Sequence, residues 1–189
     1  MNLPNKLTLS RVILVPFFVA LILIPKGVIP CQNRIAFAIY CVASLTDAFD
    51  GAIARKYNMV TNFGKFMDPL ADKLLVCSAL ICFVKTGQIA AWIVLIIIGR
   101  EFIISGFRLI ACEQGIVIAA GIWGKIKTIV QMIMIGVLLI FVNPIWQASA
   151  LDSCMYILEQ VLIYASLVLS LVSLGDYMIR NRNVIQQTK

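Results

Sequence analysis

Histidine is absent from the 189 residues. Proton transfer near neutral pH therefore has to rest on a carboxylate, a lysine, a tyrosine or bound water, and a zinc centre loses its commonest nitrogen ligand. Charge is scarce too: Asp, Glu, Lys and Arg make up 13% of the chain, against ~25% in soluble domains, which excludes an ordinary water-soluble fold. The six cysteines, Cys31, Cys41, Cys77, Cys82, Cys112 and Cys154, form no C-x-x-C pair. Most lie in apolar runs, where cysteine is a small buried hydrophobe, and none is assigned chemistry. No A-x-A-like cleavage site follows the opening Lys6 and Arg11, and Pro25-Lys26-Gly27 reads as a loop, so the N-terminus is expected to be retained. Repeats, linkers and low-complexity segments are missing as well.

What is present is apolar, with 61% hydrophobic residues and a mean hydropathy of +0.97. That composition excludes disorder and puts most of the chain in contact with lipid or with other lipid-embedded segments. At about 150 residues per domain the length predicts one membrane domain over 1–189. Sixteen Lys and Arg against nine Asp and Glu give a net charge of +7. This suits nucleic acid or an anionic membrane face, and the composition selects the membrane and its lipids.

Only one stretch, Thr128 to Leu151, is uncharged over ~18 residues or more, because charges interrupt every other apolar run. Between turn signals six helices are expected: Leu7 to Ile24, Ile35 to Arg55, Asp68 to Val84, Ile89 to Leu109, Lys125 to Val142 and Met155 to Ile179. Leu3 to Leu7 would form a short interfacial turn or helix ahead of the first span, and Pro16 would kink that span. The outer connections are short and turn-like, at Pro25 to Pro30, Thr86-Gly87-Gln88 and Asn143 to Asp152. If the helices alternate up and down, Arg11, Asp47 with Asp50, Asp68 with Asp72, Arg100 with Glu101, Lys125 with Lys127, and Asp176 all fall on one side. That side holds every basic residue except Lys26, Arg34 and Lys85, so the positive-inside rule makes it cytoplasmic, with both termini. The expected fold is all-α: a polytopic integral membrane protein, a six-transmembrane-helix bundle with a polar cavity facing the cytoplasm.

Depth then singles out carboxylates. Ile35 to Thr46 is about 18 Å of helix against a ~30 Å hydrocarbon core, so Asp47 and Asp50 begin inside the nominal bilayer. Ionisable groups at such depth face a bundle interior or a wet cavity and find a counter-charge. Asp47 and Asp50 are spaced i,i+3, and Asp68 and Asp72 i,i+4, so each pair shares a helix face. Four converging carboxylates repel unless cations neutralise them. Hard oxygen ligands suit Mg²⁺ or Mn²⁺, and two metals on four carboxylates is a phosphoryl-transfer arrangement. The plainer alternatives are an ion pair from Asp47 or Asp50 to Arg55 or Lys73, and a helix start at Asp68-Pro69. Gly51 and Ala54 lie on the same strip of helix as the first pair, where small residues admit a ligand or another helix. Gly64 reads as a turn residue in the loop before the third helix.

Taken together, Asp47-x2-Asp50-Gly51-x2-Ala54-Arg55-x8-Gly64-x3-Asp68-x3-Asp72 resembles, without a departure, the signature of the CDP-alcohol phosphotransferase family. The expected six-span layout is similar to that family as well. The resemblance implies that Asp47, Asp50, Asp68 and Asp72 hold two divalent metals and that Asp72 also takes the acceptor hydroxyl's proton. It further implies that Gly51, Ala54, Arg55 and Gly64 cradle the CDP moiety, and that the enzyme is a homodimer.

A second polar cluster bears on the acceptor. Arg100-Glu101, Arg108 and Lys125-x-Lys127 put four cations on the cytoplasmic ends of two consecutive spans, where positive-inside anchoring is the plain reading. Arg100, well inside its apolar run, is expected to point inward and to meet Glu101 or the aspartates. A buried arginine needs an anion, and a phosphate on the acceptor would supply one to its planar fork and to the lysine point charges. The segments Arg100-Glu101-Phe102-x2-Ser105-Gly106-x-Arg108, Gly124-Lys125-x-Lys127-Thr128 and Leu3-Pro4-Asn5-x-Leu7-Thr8-x2-Arg11 resemble family members that use sn-glycerol 3-phosphate, with Phe107 where leucine is usual. The implied reaction joins CDP-diacylglycerol and sn-glycerol 3-phosphate into phosphatidylglycerophosphate and CMP. Arg100, Arg108, Lys125 and Lys127 would hold the acceptor's phosphate so that its hydroxyl lies near Asp72. Inositol phosphate as acceptor stays open, and outside the family so does a divalent-cation channel or carrier. Acids are nearly lacking from the outer halves, Asp152 and Glu159 excepted, which suits a one-sided cavity better than a pore.

Overall fold

The computed structural model describes residues 3–25, 28–56, 62–113, 121–140 and 150–182. Among them are six helices and no strand: α1 Leu3–Leu23, α2 Gln32–Lys56, α3 Asn62–Lys85, α4 Ala91–Glu113, α5 Ile122–Ile140 and α6 Ala150–Arg180. The all-α expectation therefore holds. Two stretches, Ile122–Ile140 and Cys154–Arg180, are long and apolar enough to cross a membrane by length and composition.

Helix ends differ from the sequence expectation where proline was read as punctuation. α1 runs unbroken from Leu3, so Leu3 to Leu7 is its first turn rather than a separate element, and Pro16 lies inside it. Pro4 sits where a proline costs least, because the leading N–H groups of a helix have no intrahelical acceptor. α3 begins at Asn62, so Gly64 lies in its first turn and not in a loop, and Asp68-Pro69 is inside the helix rather than its start. Pro69 removes one helical donor there. Packing outweighs that local penalty, as it does for prolines in membrane helices, where neighbouring groups satisfy the freed carbonyl.

Contacts divide the chain into two units, Met1–Gln88 with Ile135–Pro144 and Ile89–Met134 with Ile145–Lys189. In the first unit α1 packs against both α2 and α3. Its buried stripe is Arg11, Val15 and Phe18; α2 offers Ala36, Tyr40 and Ala43, and α3 offers Ala71, Leu75, Ala79 and Phe83. The alanines let backbones approach closely, which is how helices associate where lipid is as apolar as leucine. The Phe18 and Tyr40 rings meet at 6.3 Å between centroids. In the late part of α5, a Cβ on Gly136 would lie 3.4 Å from the Phe37 ring, and Gln88 Nε2 donates to the Leu138 carbonyl at 3.2 Å. Gly87 turns the chain between α3 and α4 with φ +76°, a conformation that favours glycine.

In the second unit α4 packs on α6. Ile93, Ile97, Arg100 and Ile104 face inward from α4, while Ile163, Ser166, Ser170, Ser173 and Tyr177 do so from α6 at alternating four- and three-residue steps. The opposite faces expose Leu95, Phe102, Ile103, Ile157, Val161 and Val168. An apolar surface this continuous is not one that a soluble monomer presents to water.

Gln32, buried at the start of α2, closes the end of α1. Its Nε2 donates to the Leu21 carbonyl and, at 2.8 Å, to the Ile24 carbonyl. These are groups that a helix end leaves without partners. Gln32→Met keeps the shape and removes both bonds, and is expected to destabilise the protein by about 1–2 kcal/mol, read as a lower Tm in detergent.

Candidate active site

Both aspartate pairs of the first unit lie on continuous helix, close to the same connection. Asp47, Asp50, Gly51, Ala54 and Arg55 occupy the C-terminal half of α2, and Gly64, Asp68 and Asp72 the N-terminal half of α3. Asp50 stands about 9 Å along the axis from the end of α2 at Lys56, and Asp68 about 9 Å from the start of α3 at Asn62. Each of these two aspartates thus stands about two turns from its helix's end at the connection. The side chains of these eight residues lie outside the described part of the structure, and so does their convergence on metal and nucleotide. Among the described residues no group of three or more Cys, Asp or Glu side chains is placed to hold a metal.

Arg11 was read from sequence only as a charged end and as part of the opening motif, yet it is 2% exposed on the α1 stripe that packs against the carboxylate-bearing helices. The signal was legible: Arg11, Val15 and Phe18 recur at i, i+4 and i+7.

In the second unit a single carboxylate gathers two buried cations. The Arg100 guanidinium donates through Nη1 to Glu101 Oε1 at 3.2 Å and through Nε to Ser173 Oγ at 3.0 Å. Lys127 Nζ donates to the same Glu101 oxygen. Arg100 is 8% exposed and Lys127 fully buried, while Glu101 keeps a partly open edge. Arg100 thus points inward with Glu101 as its partner, as its depth in the apolar run implied. Ser173 in turn donates to the Ser170 carbonyl at 3.0 Å, so the chain of bonds ties α5 to α4 and α4 to α6.

The four cations expected to meet the acceptor are divided by the structure. Arg100 and Lys127 are buried and paired, whereas Arg108 and Lys125 are exposed. Arg108 acts on Arg100 as a like charge, which raises the local positive potential. Ser105 and Thr128, polar residues of the same motifs, bond carbonyls one turn back, those of Glu101 at 2.7 Å and Gly124 at 3.0 Å, and so are committed to their own helices. Neither Ser173 nor the sharing of Glu101 was read from sequence. The stripe Lys127, Gln131, Met134 and Leu138, at i, i+4, i+7 and i+11, would have marked Lys127 as inward.

Residues 1–172 match the family model described as CDP-alcohol phosphatidyltransferase. The chain is 46% identical over 152 residues to the CDP-diacylglycerol–glycerol-3-phosphate 3-phosphatidyltransferase of Bacillus subtilis, covering 76% of this chain and 79% of the relative. It is 38% identical over 182 residues to the protein of that name from Haemophilus influenzae, covering 94% and 91%. With a probable phosphatidylglycerophosphate synthase of Mycobacterium tuberculosis it shares 37% identity over 180 residues, covering 95% and 81%.

Glu101→Ala would take from Arg100 and Lys127 the carboxylate that they share. Removing one side of a buried ion pair strands the other, so the variant is expected to lose about 3 kcal/mol of stability, measured by thermal or denaturant unfolding in detergent.

Proposed function

This chain belongs to the CDP-alcohol phosphatidyltransferase family, and we propose that it transfers the phosphatidyl group of CDP-diacylglycerol to sn-glycerol 3-phosphate, giving phosphatidylglycerophosphate and CMP. Relatives bearing that activity in their names, matched over three quarters or more of this chain, support the reading. The single structural observation that carries the acceptor assignment is the buried Arg100 and Lys127 sharing one carboxylate. Two buried cations at one carboxylate suit an acceptor bearing a phosphate and offer nothing to a neutral alcohol.

Asp47, Asp50, Asp68 and Asp72 would hold two divalent ions, Mg²⁺ or Mn²⁺. Their hard oxygen donors, two on each of two consecutive helices, fit such a pair. Bound there, the ions would neutralise the carboxylates and stabilise charge developing on the pyrophosphate. Gly51, Ala54, Arg55 and Gly64 receive the CDP moiety. Asp72 accepts the proton of the acceptor hydroxyl, whose oxygen attacks the lipid-side phosphorus, and the bond from that phosphorus to the CMP oxygen breaks. In a chain without histidine a carboxylate is the natural base for this step. Arg100, Arg108, Lys125 and Lys127 supply the positive field for the acceptor's phosphate. The protein works in a bacterial cytoplasmic membrane as a six-span homodimer, both termini and the polar cavity facing the cytoplasm. Lipid tails enter sideways between helices.

The test is to give the purified protein CDP-diacylglycerol and Mg²⁺ with glycerol 3-phosphate, inositol phosphate, serine or choline in turn, and to measure CMP release. Release is expected with glycerol 3-phosphate. Release with inositol phosphate alone would move the acceptor, and none with any alcohol would leave the carrier reading. Asp72→Asn is expected to lower kcat by at least about a thousandfold with Tm unchanged. Near-normal turnover in that variant would take the base role away from Asp72.

A further inference from the structure

Lys127 has no exposed surface and donates to Glu101, whereas Arg100 is held on two sides and open on the third. Nε is fixed by Ser173 and Nη1 by Glu101, while Nη2 carries no hydrogen bond among the described residues. That free nitrogen faces Gly124, where a Cβ would lie 3.5 Å from it. Gly124 belongs to the first turn of α5, whose leading N–H groups have no intrahelical acceptor and form the positive end of the helix dipole. The exposed Lys125 is its neighbour.

Cations gathered at the positive end of a helix repel it, an arrangement that an anion would complete. One anion is already near this end: a Cβ on Gly121 would meet Asp176 Oδ2 at 3.1 Å. Asp176 gives its other oxygen to Arg180 at 2.7 Å, so it is tethered on the Gly121 side. The side of the turn at Gly124, faced by Arg100, remains.

We propose that Lys127 and Glu101 form a buried pair that does not touch the acceptor but aims Arg100, whose open edge with the first-turn N–H groups of α5 receives the acceptor's phosphate. This rests on the reading that the acceptor is phosphorylated. Lys127, Glu101 and Ser173 are then positioning residues, and Arg100 is the ligand. If the phosphate displaced Glu101 to reach Lys127, it would break a buried pair, which is costly; using the free edge of Arg100 breaks nothing. With no side chain at position 124, the guanidinium edge lies against the backbone of the first turn.

The test is a double-mutant cycle in the full chain, with Lys127→Met, Glu101→Gln, their combination, and Ser173→Ala, each assayed for kcat and for KM toward both substrates. Lys127→Met takes one cation from Glu101, which then holds Arg100 more tightly and repels phosphate, and Glu101→Gln leaves Arg100 loosely aimed. Each single change is expected to raise KM for glycerol 3-phosphate about tenfold while KM for CDP-diacylglycerol stays within about twofold. The combination removes both buried charges and keeps a glutamine carbonyl for Arg100, so most of the loss is expected to return. Ser173→Ala, which removes no charge and no phosphate ligand, is expected to raise the same KM. A combined loss equal to the product of the single losses would make Lys127 a direct ligand and overturn the proposal, as would an unchanged KM in Ser173→Ala. Should a single variant fail to fold, the combination and Ser173→Ala decide: near-normal KM in the first with a raised KM in the second supports it. Wild-type protein inactive with glycerol 3-phosphate would instead sink the acceptor assignment, a failure separate from an additive cycle in active enzyme.

Discussion

Charge inside an apolar protein has to be balanced where it stands, and the carboxylate of Glu101 does this for two cations at once. Desolvating an ammonium or a guanidinium costs several kcal/mol, and the pairing with Glu101 offsets part of that cost for both Lys127 and Arg100. The geometry uses what distinguishes the two side chains. Lysine's compact ammonium meets Glu101 as a point charge, whereas arginine's planar fork reaches Glu101 and Ser173 in different directions and still has an edge to spare. One acid thereby fixes the relative placement of three helices, and the order of the second unit follows from that balance.

The first unit is organised by close approach rather than by charge. Alanines on α2 and α3 bring both helices against α1, and the packed segments lie on either side of the aspartate-bearing turns. Ala36 to Ala43 precedes Asp47, and Ala71 to Phe83 lies among and beyond Asp68 and Asp72. The acids therefore belong to helices packed against α1. Such a pair of helices can hold several like-charged groups at a set spacing, which a loop could not do against their mutual repulsion.

Much of this was legible in the sequence, because long apolar runs fix the number of helices and a charge deep in such a run has to turn inward. Arg100 follows that rule, and Gly87 turns the chain where the sequence placed a turn. Helix starts were less legible: Pro4 and Pro69 look like boundaries on local grounds, yet α1 and α3 run through them, since packing along the rest of a long helix outweighs one missing donor. Partners across helices were not legible at all. Nothing in the spacing of Glu101 to Lys127 or of Arg100 to Ser173 tells how the helices cross, and the depth of Lys127 was masked by its nearness to the end of an expected span, where an exposed cation is the rule.

The same physics separates two kinds of basic residue that look alike in the sequence. Arg100 and Lys127 are buried and have their anion within the protein, whereas Arg108 and Lys125, nearer the helix ends, are exposed and need none. Exposed cations act at a distance, concentrating anionic substrates near the site and weakening with salt. Buried cations act only on contact, with a geometry set in advance. A lipid enzyme that must capture a small, water-borne anion and then hold it still has use for both, and four cations spread evenly over one surface would supply only the first.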